Sequence, residues 1–198
     1  CPSPDPAARF PKGIPGNRAA DDFPFALFET SQKGNRIIAT NPPAESVGIF
    51  KGMPLTDARA LLSSVITEEA SPEIDKTRLH QLALWLLRYS PFVATRPPED
   101  IALDITGCAH LFGGEAGMMS DIAQKVSAFG LTANLGLADT LGAAWAAAHF
   151  GEEPQTIIPP DGQREFLSSL PIDALRLEKA LLKRLRQLGL SRVRMLMD

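Results

Sequence analysis

The stretch RYSPFVATRPPEDIALDITGCAHLFGG, Arg88 to Gly114, carries most of the structural information in this chain. Within it, FVATRPPEDIALDITG alternates Ile101, Leu103 and Ile105 against Asp100, Ala102 and Asp104. That period of two predicts a strand with one buried face. Just upstream, Ser71 stands at a helix N-cap position with Pro72 first in the helix and Glu73 in the first turn. Leu79, Leu82, Leu86 and Tyr89 follow at helical spacing, so a helix leads into the strand. Downstream come a helix from about Glu115 to Phe129, a strand in LTANLGLAD, a helix in LGAAWAAAHFG and a short strand in TIIPP. Strand, helix, strand, helix, strand from Ile101 to Ile158 predicts an α+β layer, a sheet covered by helices.

Toward the N-terminus, PFALFE (Pro24 to Glu29) and RIIAT (Arg36 to Thr40) flank QKGN, the pattern of a strand pair around a turn, and Pro42-Pro43 stop the second strand. GMPLTDARALL places Leu55, Ala58 and Leu62 on one face of a short helix, and SSVITEE reads as a brief strand. Residues 1–22 hold five prolines and two glycines with no apolar period, the composition of a disordered or extended tail. REFLSSLPIDALRLEKALLKRLRQLGLSRVRMLMD reads as two or three short helices.

At 198 residues, 44% apolar and 22% charged, the composition is that of a soluble globular protein of one ordinary domain or two small ones. Apolar runs such as Leu82 to Leu87 fall far short of the roughly 20 residues of a membrane-spanning helix. The first residue is Cys rather than Met and no apolar leader follows, so the numbering is expected to begin inside a longer protein. Cys1 and Cys108 offer neither a disulfide framework nor a zinc cluster, which predicts a reducing, cytoplasmic setting, and the short apolar runs predict no membrane partner. Net charge is −3, unlike a protein whose whole surface is built for nucleic acid. Asp173 to Asp198 holds seven Lys/Arg against three acids, a net +4, and leaves −7 on residues 1–172. The basic end is a separate feature.

The quoted stretch, with GMPLTDARAL before it and GLADTLGAAWAAAHFG after it, resembles the Y-family of translesion DNA polymerases, and within it the ImuB-type mutagenesis proteins of bacteria. DITGCAHLFGG is the most specific piece. The resemblance implies a fingers-like module at 23–72, a palm-like domain at 73–166 lacking its first strand, and the start of a helix-hairpin-helix thumb at 167–198. It also implies where polymerase chemistry would sit. Two metal ions held by carboxylates must neutralise the attacking and leaving oxygens of an in-line displacement. The family's first carboxylate lies on a strand that the chain does not contain, and Asp21-Asp22 reads as linker. The second site is an Asp-Glu pair three residues before a Leu-Asp; with that Leu-Asp on Leu103-Asp104, the pair falls on Glu99-Asp100, its acids in reversed order.

Triphosphate contacts in active members come from a Tyr-x-Ala-Arg segment, matched here by Pro42-Pro43-Ala44-Glu45: the phenol is gone and the cation has become an anion. A family Lys that also faces phosphates aligns on Glu152. In the thumb, a helix-hairpin-helix cradles a phosphate on the backbone N–H groups of a glycine hairpin. The first hairpin falls at Leu175-Arg176-Leu177-Glu178, without glycine, and the second at Leu188-Gly189-Leu190. Lys183, Arg184, Arg186, Arg192 and Arg194 are the candidates to meet a DNA backbone directly. Gly113-Gly114-Glu115 reads as a strand-to-helix turn, His80, His110 and His149 as surface or packing residues, Trp85 and Trp145 as core, and Gln187 to Leu190 as structure rather than a clamp-binding peptide.

These departures predict a catalytically degenerate Y-family polymerase-like protein, a DNA-binding or scaffold component of damage-induced (SOS) mutagenesis, with no cofactor. The resemblance implies as partners an error-prone replicative-type polymerase, a RecA-like accessory protein and the sliding clamp. The rival readings are an active translesion polymerase, in which Glu99, Asp100 and an upstream Asp bind Mg²⁺, and a truncated product without function.

Overall fold

The computed structural model describes residues 23–32 and 34–197. The expected tail at 1–22, Asp21-Asp22 included, lies outside them. The chain forms two compact units, one running up to Asp104 and including Phe129–Leu131, the other made of Ile105–Ala128 and the residues from Thr132 onward.

The first unit opens on the expected strand pair. β1 (Phe25–Ser31) and β2 (Gly34–Thr40) are antiparallel, with Ala26 opposite Thr40 and Ser31 opposite Gly34. Gly34 has φ +93°, a backbone that favours glycine and lets the turn close. β3 (Ile66–Glu69) lies parallel on the other side of β1, giving the order β2-β1-β3. Asn41 ends β2 and starts α1 (Pro42–Ser46): its Oδ1 accepts from Phe25 N at 2.9 Å and from Ala44 N at 3.0 Å. Pro42 and Pro43 sit in the first helical turn, where no N–H is missed. Helix α2 (Leu55–Leu61) turns Leu55 and Ala58 inward, as its spacing predicted. They bury against Ala26, Ile37, Ala44, Ile49 and Val65, with Leu62 packed on this core.

Helix α3 (Pro72–Leu86) follows, with Leu86 and Tyr89 buried and Leu79 and Leu82 half-buried along the predicted stripe. Ser71 stands at the N-cap position, but its side chain makes no capping hydrogen bond. The next segment differs from the expectation of a single strand. β4 (Phe92–Arg96) and β5 (Asp100–Asp104) form an antiparallel hairpin running from Phe92 opposite Asp104 to Arg96 opposite Asp100. Pro97 and Pro98, which have no N–H to give a ladder, occupy the turn. Burial does not alternate either: Asp100 through Leu103 are all half-buried. Ser90, 2% exposed, ties the end of α3 to this hairpin. Its hydroxyl donates to the Asp104 carbonyl and accepts from Phe92 N at 3.0 Å.

In the second unit, a 3-10 turn at Ala109–Phe112 leads through Gly113 and Gly114, with φ +79° and +94°, into α4 (Glu115–Ala128). Short parallel strands β6 (Leu135–Leu137) and β7 (Gln155–Ile157) flank α5 (Leu141–Phe150), whose N-cap Thr140 accepts from Ala143 N. The C-terminal region resolves into α6 (Gln163–Ser169), α7 (Lys179–Gln187) and 3-10 turns at Ile172–Leu175 and Val193–Leu196. Leu170, Ala174 and Val193 bury against Ala146, and Val193 N donates to Leu170 O at 2.9 Å. Trp85 and Trp145, expected in the core, are half-buried, each with an arginine over its ring: Arg88 at 4.2 Å and Arg176 at 5.0 Å. Their size lets them roof the core and still meet a cation at the surface. Among the described residues, no helix is long and apolar enough to cross a membrane.

Candidate nucleotide and nucleic-acid sites

Glu99 and Asp100, the pair that the resemblance aligns with the family's second metal site, fall on the β4–β5 hairpin. Glu99 is exposed in its turn, and Asp100, half-buried, is the first residue of β5 directly opposite Arg96. Among the described residues, no three His, Cys, Asp or Glu side chains gather where they would hold a metal ion. Two-metal catalysis needs several carboxylates converging on ions about 4 Å apart. Glu99 and Asp100, with the Arg96 cation across the ladder from Asp100, do not by themselves supply that donor set.

The residues that the resemblance puts at the triphosphate contacts are Pro42, Glu45 and Glu152. Pro42 opens α1, and Glu45, exposed in the same turn, accepts a hydrogen bond from Thr40 Oγ1 at 2.9 Å. A local polar bond with the preceding strand end thus holds the carboxylate where the resemblance expects a cation. Glu152 is likewise exposed, in the loop between α5 and β7.

The five basic candidates near the C-terminus fall into two groups. Arg186 donates from Nη2 to both carboxylate oxygens of Asp173, at 2.6 and 2.7 Å, and Arg192 Nη1 donates to Ser169 O at 2.7 Å. Lys183, Arg184 and Arg194 are exposed. The hairpin without glycine is closed by Arg176, which takes φ +55° at the end of the 3-10 turn, and Gly189 takes φ +79° after α7. Left-handed backbone costs a non-glycine residue roughly 1–2 kcal/mol, and the stacking of Arg176 on Trp145 offsets part of that. In the sequence, Asp173 registers only as a charge. Its pairing with Arg186, 13 residues on, depends on how the 3-10 turn and α7 fold back, which no local pattern reports. The three histidines are exposed, and His149 stacks on Trp145 at 4.3 Å between ring centroids.

A strand-helix sheet module followed by a β-hairpin bearing paired acids and by basic helical turns is the arrangement of a Y-family polymerase-like protein. Residues 18–149 match the model of the impB/mucB/samB family, and the chain belongs to that family. Protein ImuB of Caulobacter vibrioides (strain NA1000 / CB15N) is 42% identical over 147 residues, 74% of this chain and 32% of the relative. DNA polymerase IV of Dehalococcoides mccartyi (strain CBDB1) is 28% identical over 153 residues, 76% of this chain and 39% of the relative. The chain thus spans about a third of the length of these relatives. Among solved structures, an insertion ternary complex of Dbh DNA polymerase superposes with a TM-score of 0.73 at 20% identity, covering 90% of this chain and 54% of that one. DinB from Sulfolobus solfataricus gives 0.69 at 21%, covering 90% and 53%. These two establish the fold, the expected α+β fingers and palm.

Proposed function

We propose that the chain is part of a catalytically degenerate Y-family polymerase-like protein that binds DNA and acts as a scaffold in the response to DNA damage. The observation that carries this reading is Glu45, an exposed carboxylate fixed by Thr40 in the slot where a triphosphate would need a cation. A carboxylate there opposes a polyphosphate, whereas an arginine would grip it with paired hydrogen bonds. The reversed Glu99-Asp100 pair and exposed Glu152 agree with it. Relatives named for DNA polymerase activity, and one named ImuB, support a damage-related role. DNA contact falls to Lys183, Arg184 and Arg194, which meet phosphates irrespective of sequence. The reading includes an error-prone polymerase, a RecA-like accessory protein and the sliding clamp as partners. The test is primer extension by the full-length protein with Mg²⁺ or Mn²⁺. No extension is expected; extension abolished by Glu99→Ala and Asp100→Ala overturns the scaffold reading in favour of an active polymerase.

A further inference from the structure

Helix α3 is acidic at one end and basic at the other. Its first turn holds Glu73 and Asp75, with Glu68 and Glu69 of β3 exposed just before it, and Arg88 stands in the turn that follows its last residue, Leu86. Glu73, Thr77, Gln81 and Leu84 recur at steps of four, four and three. With Arg88 they form one exposed stripe turned away from the buried Ala83, Leu86 and Tyr89. Every residue from 72 to 78 is exposed, so the N-terminal half of the helix is open to a partner. Among the described residues, Glu73 and Arg88 make no ion pair. About 22 Å of helix separates them, which puts them out of each other's reach. Arg88 is positioned by neutral groups: its Nε donates to Trp85 O at 3.0 Å and its guanidinium lies 4.2 Å from the Trp85 ring centre, which leaves its Nη groups for an anion.

The stripe has shape as well as charge. Ile74, Thr77, Arg78 and Gln81 stand at i, i+3, i+4 and i+7, the set of four that forms the hole for a knob on a facing helix. Together with Glu73 they line a hollow of about 290 Å³. Leu84, 54% exposed, is a knob one turn further on. A second α3 laid antiparallel seats its Leu84 in this hollow. Glu73 lies about four residues from the centre of the hollow, and the partner's Arg88 lies four residues beyond the partner's Leu84 in the same direction. The two charges therefore meet to within about one residue, or about 1.5 Å, and two-fold symmetry repeats the match at the other end. Charge and shape select the same register independently. Arg78, at the rim, carries a like charge that the pair must tolerate, and this register sets the two Arg78 residues about 7 Å apart along the axis. Asp75 and Lys76 fall off the stripe and His80 borders it.

We propose that Glu73, Thr77, Gln81, Leu84 and Arg88 form the contact through which two copies of this chain pair, α3 against α3, antiparallel. The interface is isologous, the same patch on both copies. One helix pair buries less than the roughly 1,200 Å² of stable complexes, so the dimer is weak.

Sedimentation velocity on the full chain, over a dilution series from the highest soluble concentration, tests the pairing. Glu73→Arg or Arg88→Glu alone is expected to weaken association about tenfold, because each puts like charges at both ends of the pair. A mixture of the two variants is expected to recover the association of the parent, since each end of the mixed pair again holds one acid and one base. Single variants that associate like the parent, or a mixture as weak as either variant alone, overturn the antiparallel pairing, and a parent that stays monomeric overturns the proposal. Association through any other surface, the open edge of β5 included, is the same in all these samples and drops out of the comparison. Arg88→Glu also gives up the contact with Trp85, so Leu84→Glu keeps the test sound if that variant does not fold. It is expected to abolish the pairing with both end charges in place, and unchanged association there overturns the proposal as well.

Discussion

Arg186 is held by Asp173 through two hydrogen bonds from Nη2, at 2.6 and 2.7 Å, so one of the basic side chains expected to meet DNA already has an anion of its own. The two side chains are 54% and 39% exposed, and a pair in such contact with water contributes about 0–1 kcal/mol. A phosphate therefore competes with Asp173 without displacing a strong bond, but Arg186 brings little new charge to the complex. Arg184→Ala is expected to reduce the log-log salt slope of DNA binding by about 0.9, and Arg186→Ala by clearly less. Asp173→Asn, which frees Arg186, is expected to steepen the slope by up to about 0.9 and to tighten binding at low salt. A salt titration on a labelled primer-template measures all three, and equal effects of the two arginine variants would show that Asp173 does not mask Arg186.

The elements legible in the sequence are those whose signal is local. The α3 stripe of Leu79, Leu82, Leu86 and Tyr89, the turn between Ser31 and Gly34, and the inward Leu55 and Ala58 each follow from residue spacing and turn chemistry. What failed depended on distant neighbours. FVATR, which forms β4, shows no clean alternation, and in β5 Asp100 through Leu103 are all half-buried. Ser71 has the right residue type for a cap but makes no capping bond, as its backbone sits at ψ 87°. In the candidate sites, the anionic character of Glu45 was legible from one residue. Its bond to Thr40 and the Asp173–Arg186 pair both require the chain to fold back on itself.

Gly136 has no space for a side chain. A Cβ there would collide with the backbone carbonyl of Ala144, the backbone N of Ala148 and the Ala147 side chain, so β6 lies directly on α5. Gly136→Ala is expected to push strand and helix apart and to cost about 3 kcal/mol, the upper part of the overpacking range. Urea unfolding followed by circular dichroism measures it. A variant as stable as the parent would mean that β6 and α5 are not in this contact.

Ser90→Ala removes a buried hydroxyl that serves both the Asp104 carbonyl and the Phe92 N–H. Alanine fills nearly the same space, so the change tests hydrogen bonding rather than packing. A destabilisation of about 1–3 kcal/mol is expected from leaving these backbone groups without the hydroxyl. Amide exchange at Phe92 should accelerate in step. Unaltered exchange would show that water replaces the hydroxyl and that Ser90 does not fasten α3 to the hairpin.

β5 pairs with β4 along one side, and among the described residues no strand pairs with its other side. Ile101, Ala102 and Leu103 are half-buried, so that edge combines open N–H and C=O groups with apolar side chains. Such an edge is a template for another strand, and a charge placed on it is the usual obstacle to pairing. The 198-residue chain is therefore expected to self-associate as its concentration rises, and Ala102→Lys to lower the association by raising the cost of burying the edge. Sedimentation velocity over a dilution series reads both. A chain that remains monomeric over the whole series would show the edge to be covered, and association unchanged by Ala102→Lys would move the contact to another surface.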